Sequence, residues 1–370
     1  MEQNVIVQPL LVRAALLLSL ALALAACGDG KDIAAPAPAP EPTPVSEPEP
    51  EPEPAPEPDP EPEPGPPSPL TGEEIDEERL EQPILLVKID NAPQARPQTG
   101  LEAADIVFEE RVEAGITRFL AVFHSELPEV VGPIRSARPV DAQLMATYGS
   151  SGFAFSGARD DVQPMLRSTP SILTTEGRRG FFRDSARRAP FNLYIDPEST
   201  LGEVIERGAE PFDDVRWVFD EQPPSSALDC PEDAEDCTDP GAAVRVDISS
   251  GYDTHFSYDD DAGLYRRSQG GQATVVTGEG QVGAANVLIL DTRFYFSGPN
   301  CYGAPCPETD VVTEEAAALV LRDGRRYEAS YRKPSAEAPI EVFDANGRPF
   351  AFKPGPTWVL LPDGLPSLSD

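Results

Sequence analysis

The chain has 370 residues, with 64 acidic against 29 basic side chains and a formal net charge of −35. An excess of that size argues against nucleic acid or anionic lipid as a partner of the body as a whole. Only two histidines are present, His124 and His255, and the motifs GxSxG, HExxH, GxxxxGK(S/T) and GxGxxG are absent, so the usual hydrolase, zincin and nucleotide-binding readings find no footing.

In chain order, Arg13 precedes an apolar run from Ala14 to Ala26 that ends at Cys27. Roughly 18 apolar residues are needed to cross a bilayer, so residues 1–27 read as a signal peptide rather than a span. Leu24-Ala25-Ala26-Cys27 resembles the bacterial lipobox. The resemblance implies cleavage before Cys27 and acylation there, which would anchor the chain to the lipid bilayer at the extracytoplasmic face of the cell membrane. Two or three acyl chains exceed the marginal, reversible one-chain case. Residues 28–72 then form a Pro/Glu-rich stalk. Of the 34 residues from Pro36 to Pro69, 17 are proline, which forbids helix and sheet and favours a polyproline II spacer on the order of 100 Å long.

Two folded modules follow. The first, 73–220, is expected to be α/β or α+β. It opens with the apolar strand 84–90 and a hairpin, 105–112 and 116–123, around Gly115. Pro139 starts a helix whose Val140, Leu144 and Tyr148 share a face, stopped by Gly149. A short strand at 152–155, a helix within 160–167 and a helix at 199–209 capped by Ser199 complete it. Residues 221–241 are acidic and turn-rich and read as a linker. The second module, 242–366, alternates short strands with the turns DDDAG, RDGR and DANGR and ends in TWVLLP. It is expected to be mainly β, a small barrel or sandwich.

Cys230, Cys237, Cys301 and Cys306 remain after Cys27. An even count in an exported chain favours disulfides, and the local pairs 230–237 and 301–306 each close a polar loop. The spacings fit zinc poorly.

Arginines concentrate in the first module, where 13 basic residues meet 15 acidic ones between 82 and 200. The stretch VGPIRSARP, 131–139, places Arg135 and Arg138 around Ser136 just before a helix. Arginine forks grip phosphate or carboxylate, and a helix start favours anions. RRGFFRDSARRAPFNLY, 178–194, adds Arg183, Arg187 and Asn192 among aromatics. Asp90 and Asn91 end the first strand, where polar side chains of α/β sheets face a ligand crevice. The expected anion site therefore comprises Arg135, Ser136, Arg138, Arg183, Arg187, Asp90, Asn91 and Asn192. The same arginines could instead neutralise the module's own carboxylates.

KIDN, ARPQTGLEAADIVFEERVEAGITRFLAVF, VGPIRSARP and RDSARRAPFNLY, in that order, together with DANGRPFAFKPGPTWVLLP, resemble the bacterial YerB-like lipoprotein family. The resemblance covers about 80–220 and 240–363. It implies an envelope lipoprotein of two modules with no established activity. The family's pattern has histidines where this chain has Phe155 and Phe191, so a histidine-dependent activity is not expected here. The leading reading is a non-enzymatic lipoprotein that binds an anionic wall polymer or lipid-linked phosphate, or organises the envelope, without a cofactor. The alternatives are a metal-assisted phosphoryl-transfer enzyme, similar at fold level to the LytR-CpsA-Psr ligases and holding Mg²⁺ on Asp90 and Asp105, and a scaffold whose charges pair internally.

Overall fold

The computed structural model describes residues 65–212, 214, 217–224, 241–249, 252–301 and 304–366. The leader with Cys27, the stalk up to residue 64, and Cys230 and Cys237 lie outside the described residues. Residues 65–72 already belong to the folded body. Leu70 is buried in the core and Pro67 bridges Glu74, so the body begins before the expected end of the stalk at 72.

The elements run α1 (Glu77–Leu80), β1 (Leu85–Asp90), β2 (Ile106–Arg111), β3 (Thr117–Phe123), α2 (Pro139–Met145), β4 (Gly152–Ala154), α3 (Gln163–Arg167), β5 (Ile172–Thr174), β6 (Phe181–Arg183), β7 (Leu193–Ile195), α4 (Pro197–Glu206) and β8 (Val218–Phe219). The rest is strands: β9 (Ala243–Ser249), β10 (Tyr252–Asp259), β11 (Leu264–Gln269), β12 (Gln272–Ala273), β13 (Gly283–Ala284), β14 (Asn286–Leu290), β15 (Arg293–Cys301), β16 (Ala304–Asp310), β17 (Thr313–Arg322), β18 (Arg325–Lys333), β19 (Glu341–Asp344), β20 (Ala351–Phe352) and β21 (Thr357–Leu361). The N-terminal half is mixed α/β and the C-terminal half mainly β, as its alternation of short strands and turns predicts. The start of α4 differs. Asp196, not Ser199, is the cap, accepting the Ser199 N–H at 3.0 Å, because Pro197 suits the first helical position and starts the helix two residues earlier.

The two halves share one sheet. Its ten strands run β19-β18-β17-β14-β21-β2-β3-β1-β4-β5. The seam is the last strand of the chain: β21 pairs in parallel with β14 on one side and with β2 on the other. Its five residues are all buried, as a central strand requires. A second sheet of five strands, β9 to β13, lies against one face of the first, so the C-terminal half has open sheets and no closed barrel among the described residues. Trp358 anchors that contact. It packs edge-on to Phe119 and Phe256, with ring centroids 5.2 and 5.7 Å away, and carries the Arg267 guanidinium 4.9 Å above its ring. The opposite face is covered by the core of Leu86, Phe108, Leu120, Leu144 and Phe153.

An arginine-lined cleft at the end of the first strand

The period-2 alternation of β1 to β3 sends side chains to two faces. Leu86, Lys88 and Asp90 point one way, together with Phe108 and Glu110 of β2 and Arg118 and Leu120 of β3. Apolar side chains fill the middle of this face, and polar ones gather where β1 ends. There β4 has run out. It pairs only with Leu85 to Val87, and Ile134 takes its place beside the rest of β1, with Arg135 N–H donating to Lys88 O and Asp90 N–H donating to Pro133 O. Gly132 lets this segment pass close to β7, because a Cβ there would stand 2.6 Å from the Tyr194 ring. VGPIRSARP is thus an edge segment laid along the end of β1.

This arrangement sets Arg135 Nε 2.9 Å from Asp90 Oδ2, an ion pair without an aligned hydrogen bond. Arg138 forks onto Glu113 of the β2–β3 turn, its Nε 3.1 Å from Oε2. Arg118 donates to Ser136 O at 2.7 Å, makes no ion pair among the described residues, and keeps a buried Nε with no protein partner. Arg159, from the loop after β4, closes the ring on Asp161 and Glu308 at 2.9 and 2.8 Å. Around these residues lies a cleft of about 480 Å³, lined by Glu113, Arg118, Arg135, Ser136, Arg138, Gly157, Ala158, Arg159 and Cys301. Four guanidinium groups thus face one lining carboxylate. Burial, and next the neighbouring charge of Arg138, pull Arg118 down to about 10, with Asp90 opposing. Such crowding is relieved by an anion.

Below the cleft sits a buried triad. Lys88 Nζ donates to Asp141 Oδ1 at 2.8 Å and also pairs with Glu110. One cation serves two carboxylates there, so burial, with the Asp141 charge adding to it, holds the Glu110 carboxyl above its ordinary range. Asp141 Oδ2 also accepts the Arg138 backbone N–H at 2.7 Å. This corrects the expectation that the helix start adds to anion binding, since α2 has seven residues and its first turn carries its own carboxylate.

Several expected site residues lie elsewhere. Asn91, one residue beyond Asp90, points to the other face, where it donates to Thr117 and Gln269 and accepts from Arg96 and Gln98. Arg183 pairs with Glu176 and with Asn192, whose amide donates to Asp184 O, so both brace the β6–β7 hairpin. Arg187 bonds Tyr194 and the carbonyls of Pro97 and Arg96, beside a separate groove containing Phe182. The 178–194 segment reaches the cleft through Phe191, whose ring lies 5.8 Å from the Arg135 guanidinium carbon.

The metal pairing of Asp90 with Asp105 is also corrected. The registers put Asp90 opposite Arg118 and Ile106 opposite Val122, so Asp105 falls at the far end of β3, about 16 Å along the strand at ~3.3 Å per residue. Asp105 instead accepts the backbone N–H groups of His124 and Ser125. No cluster of His, Cys, Asp and Glu able to hold a metal ion occurs among the described residues.

Sequence reasoning missed Arg118, Glu113 and Arg159 as site residues. For Arg118 a signal existed: it is polar on the side of β3 that otherwise carries Leu120 and Val122. Glu113 and Arg159 sit on turns, where spacing says nothing about direction. The expected disulfide Cys301–Cys306 is formed and pins the β15–β16 hairpin, with Cys301 Sγ in the cleft wall 3.4 Å from Arg159 Nη1.

An α/β half and a β half that share a sheet, with an arginine cleft at the end of the first strand, define a two-part fold of one kind. Residues 70–210 match the family model described as the N-terminal domain of a protein of unknown function (DUF3048), and residues 244–359 match the C-terminal domain of the same family. The chain belongs to this two-part family of unknown function. It is 29% identical over 306 residues to the Bacillus subtilis (strain 168) protein named "Putative lipoprotein YerB", covering 80% of this chain and 86% of that one. The crystal structure of YerB from Bacillus subtilis matches with a TM-score of 0.67 at 26% identity, over 82% of this chain and 97% of the other. No helix among the described residues is long and apolar enough to cross a membrane.

Proposed function

We propose that this protein is a lipoprotein, anchored through Cys27 at the outer face of the cell membrane, whose arginine cleft binds an anionic envelope ligand without turning it over. The lipobox-like Leu24-Ala25-Ala26-Cys27 and the name of the Bacillus relative support the anchor. The observation that carries the cleft reading is Arg118. It is 5% exposed, has no carboxylate in ion-pair range among the described residues, and keeps an Nε without a hydrogen-bond partner there, at a cleft it shares with Arg135. A buried donor left unpaired costs on the order of 1–3 kcal/mol, and an oxyanion seated between Arg118 and Arg135 removes that cost.

Internal pairing favours the scaffold reading, since Arg135, Arg138 and Arg159 each have a carboxylate partner. Thermal unfolding of the full chain in detergent with inorganic phosphate and pyrophosphate separates the two. Binding predicts a saturable rise, worth ~2.7 kcal/mol at 100 times the Kd, that is abolished in Arg118→Gln. A wild-type chain indifferent to both anions would leave the scaffold reading standing.

A further inference from the structure

A second groove lies next to the arginine cleft, on the far side of the Arg159 ion pairs. Between α2 and α3 on one side and the β15–β16 hairpin on the other lies a space of about 320 Å³, lined among others by Ala142, Gln143, Met165, Tyr295, Ser297 and Glu337. Arg159 and its partners form the wall between the two spaces. Its guanidinium lines the cleft, while its partners Asp161 and Glu308 line the groove. Alternation along β15 puts Tyr295 and Ser297 on the groove side, while Phe294 and Phe296 turn toward Arg111. Tyr295 remains 40% exposed at the groove wall, with the Arg293 guanidinium carbon 5.4 Å from its ring centroid.

The chemistry of this lining narrows what can follow the anion into it. A hydrocarbon chain would strip water from the exposed Asp161 and Glu337 and offer no hydrogen bond in return. A second phosphate would meet like charge from Glu337, while Asp161 and Glu308 are already held by Arg159. A sugar ring satisfies both demands: its hydroxyls donate to the carboxylates and accept from the Gln143 amide, and its C–H face covers Ala142, Met165 and the Tyr295 ring. Resting on the anion-binding reading above, we propose that cleft and groove together bind a glycosyl phosphate. The phosphate sits on Arg118 and Arg135, and the sugar lies between α2 and the hairpin.

The test is calorimetric titration of the full chain with inorganic phosphate, glycerol 1-phosphate and glucose 1-phosphate. Glucose 1-phosphate is expected to bind at least tenfold tighter than the other two, which should be equal. Tyr295→Ala and Glu337→Gln should each erase most of that gain. Tyr295→Phe keeps the ring and should retain it, which separates lost stacking from a disturbed hairpin. Equal affinity for all three anions would overturn the sugar subsite and leave the anion cleft intact, as would a glucose 1-phosphate preference that survives Tyr295→Ala and Glu337→Gln together. If none of the three binds, cleft and subsite both fall.

Discussion

Asp90 holds Arg135 from behind: the Asp90 carboxylate, 1% exposed, lies 2.9 Å from Nε and leaves the two terminal amines of the guanidinium without a hydrogen-bond partner among the described residues. The pair therefore has two separable jobs, one in folding and one at the cleft. Arg135→Ala should destabilise the protein by ~2 kcal/mol. That is less than the 3–5 kcal/mol of breaking a fully buried pair, because Arg135 is 24% exposed and Arg118 still faces the stranded carboxylate. In Asp90→Asn/Arg135→Gln the buried charge is gone and stability should return, whereas phosphate affinity should not. Urea unfolding and titration on the same three proteins check this. Recovery of affinity in the double variant would show that the arginine serves the fold alone.

Glu109 and Arg267, both fully buried, tie the five-stranded sheet to the ten-stranded one. Glu109 accepts from Arg267 Nη2 at 2.7 Å and from Thr117 and Thr254, and the guanidinium lies over both Phe119 and Trp358. Arg267→Ala leaves Glu109 charged and dry, at a cost of about 3–5 kcal/mol, while Glu109→Leu/Arg267→Met should recover most of it. The measurement is the urea midpoint at unchanged slope. A loss below 1 kcal/mol in the single variant would contradict this account.

Asp105 and His124 should oppose each other in acid. Burial raises the Asp105 carboxyl from 3.8 to about 6, so its contribution to stability is complete below pH 4 and is lost as pH rises through 6. Burial lowers His124 from 6.5 to about 4, so its contribution is complete above pH 6.5 and is lost as pH falls through 4. Each shift exceeds two pH units, on the order of 3 kcal/mol at ~1.4 kcal/mol per unit, so between pH 4 and 6 the two should largely cancel and leave only the fall that Glu110 imposes. His124→Gln should leave stability falling steadily as pH rises from 4 to 6, with Glu110 adding to the fall. Asp105→Asn should leave the profile nearly flat over the same interval, the rise from His124 offsetting the fall from Glu110. Unfolding free energies at four pH values decide it, and parallel profiles in the two variants would refute the opposition.

Much of the local structure was legible from residues alone. The apolar run 84–90 read as a buried strand, Gly115 marked the hairpin, and Pro139 and Gly149 bounded a helix, because these signals act over a few residues. The arginines of VGPIRSARP were legible as a charged fork before a helix. Their partners were not. Glu113 and Arg159 come from turns, and Asp90 parts from Asn91 because consecutive strand residues face opposite sides of the sheet. The 178–194 arginines misled for a related reason. Composition placed them with an anion, whereas the β6–β7 hairpin directs Arg183 and Arg187 to Glu176, Tyr194 and backbone carbonyls.

By itself, then, the sequence determined an acidic chain of an α/β half and a β half, with a lipobox-like leader and a proline-rich spacer, since composition, short-range periodicity and turn residues carry that information. Only the tertiary structure decided that the halves share one sheet, through a terminal strand whose partners β14 and β2 lie 71 and 251 residues earlier at the paired Thr357. It alone decided which arginines converge, because strand pairing over such separations depends on which buried faces fit, and no local signal encodes that.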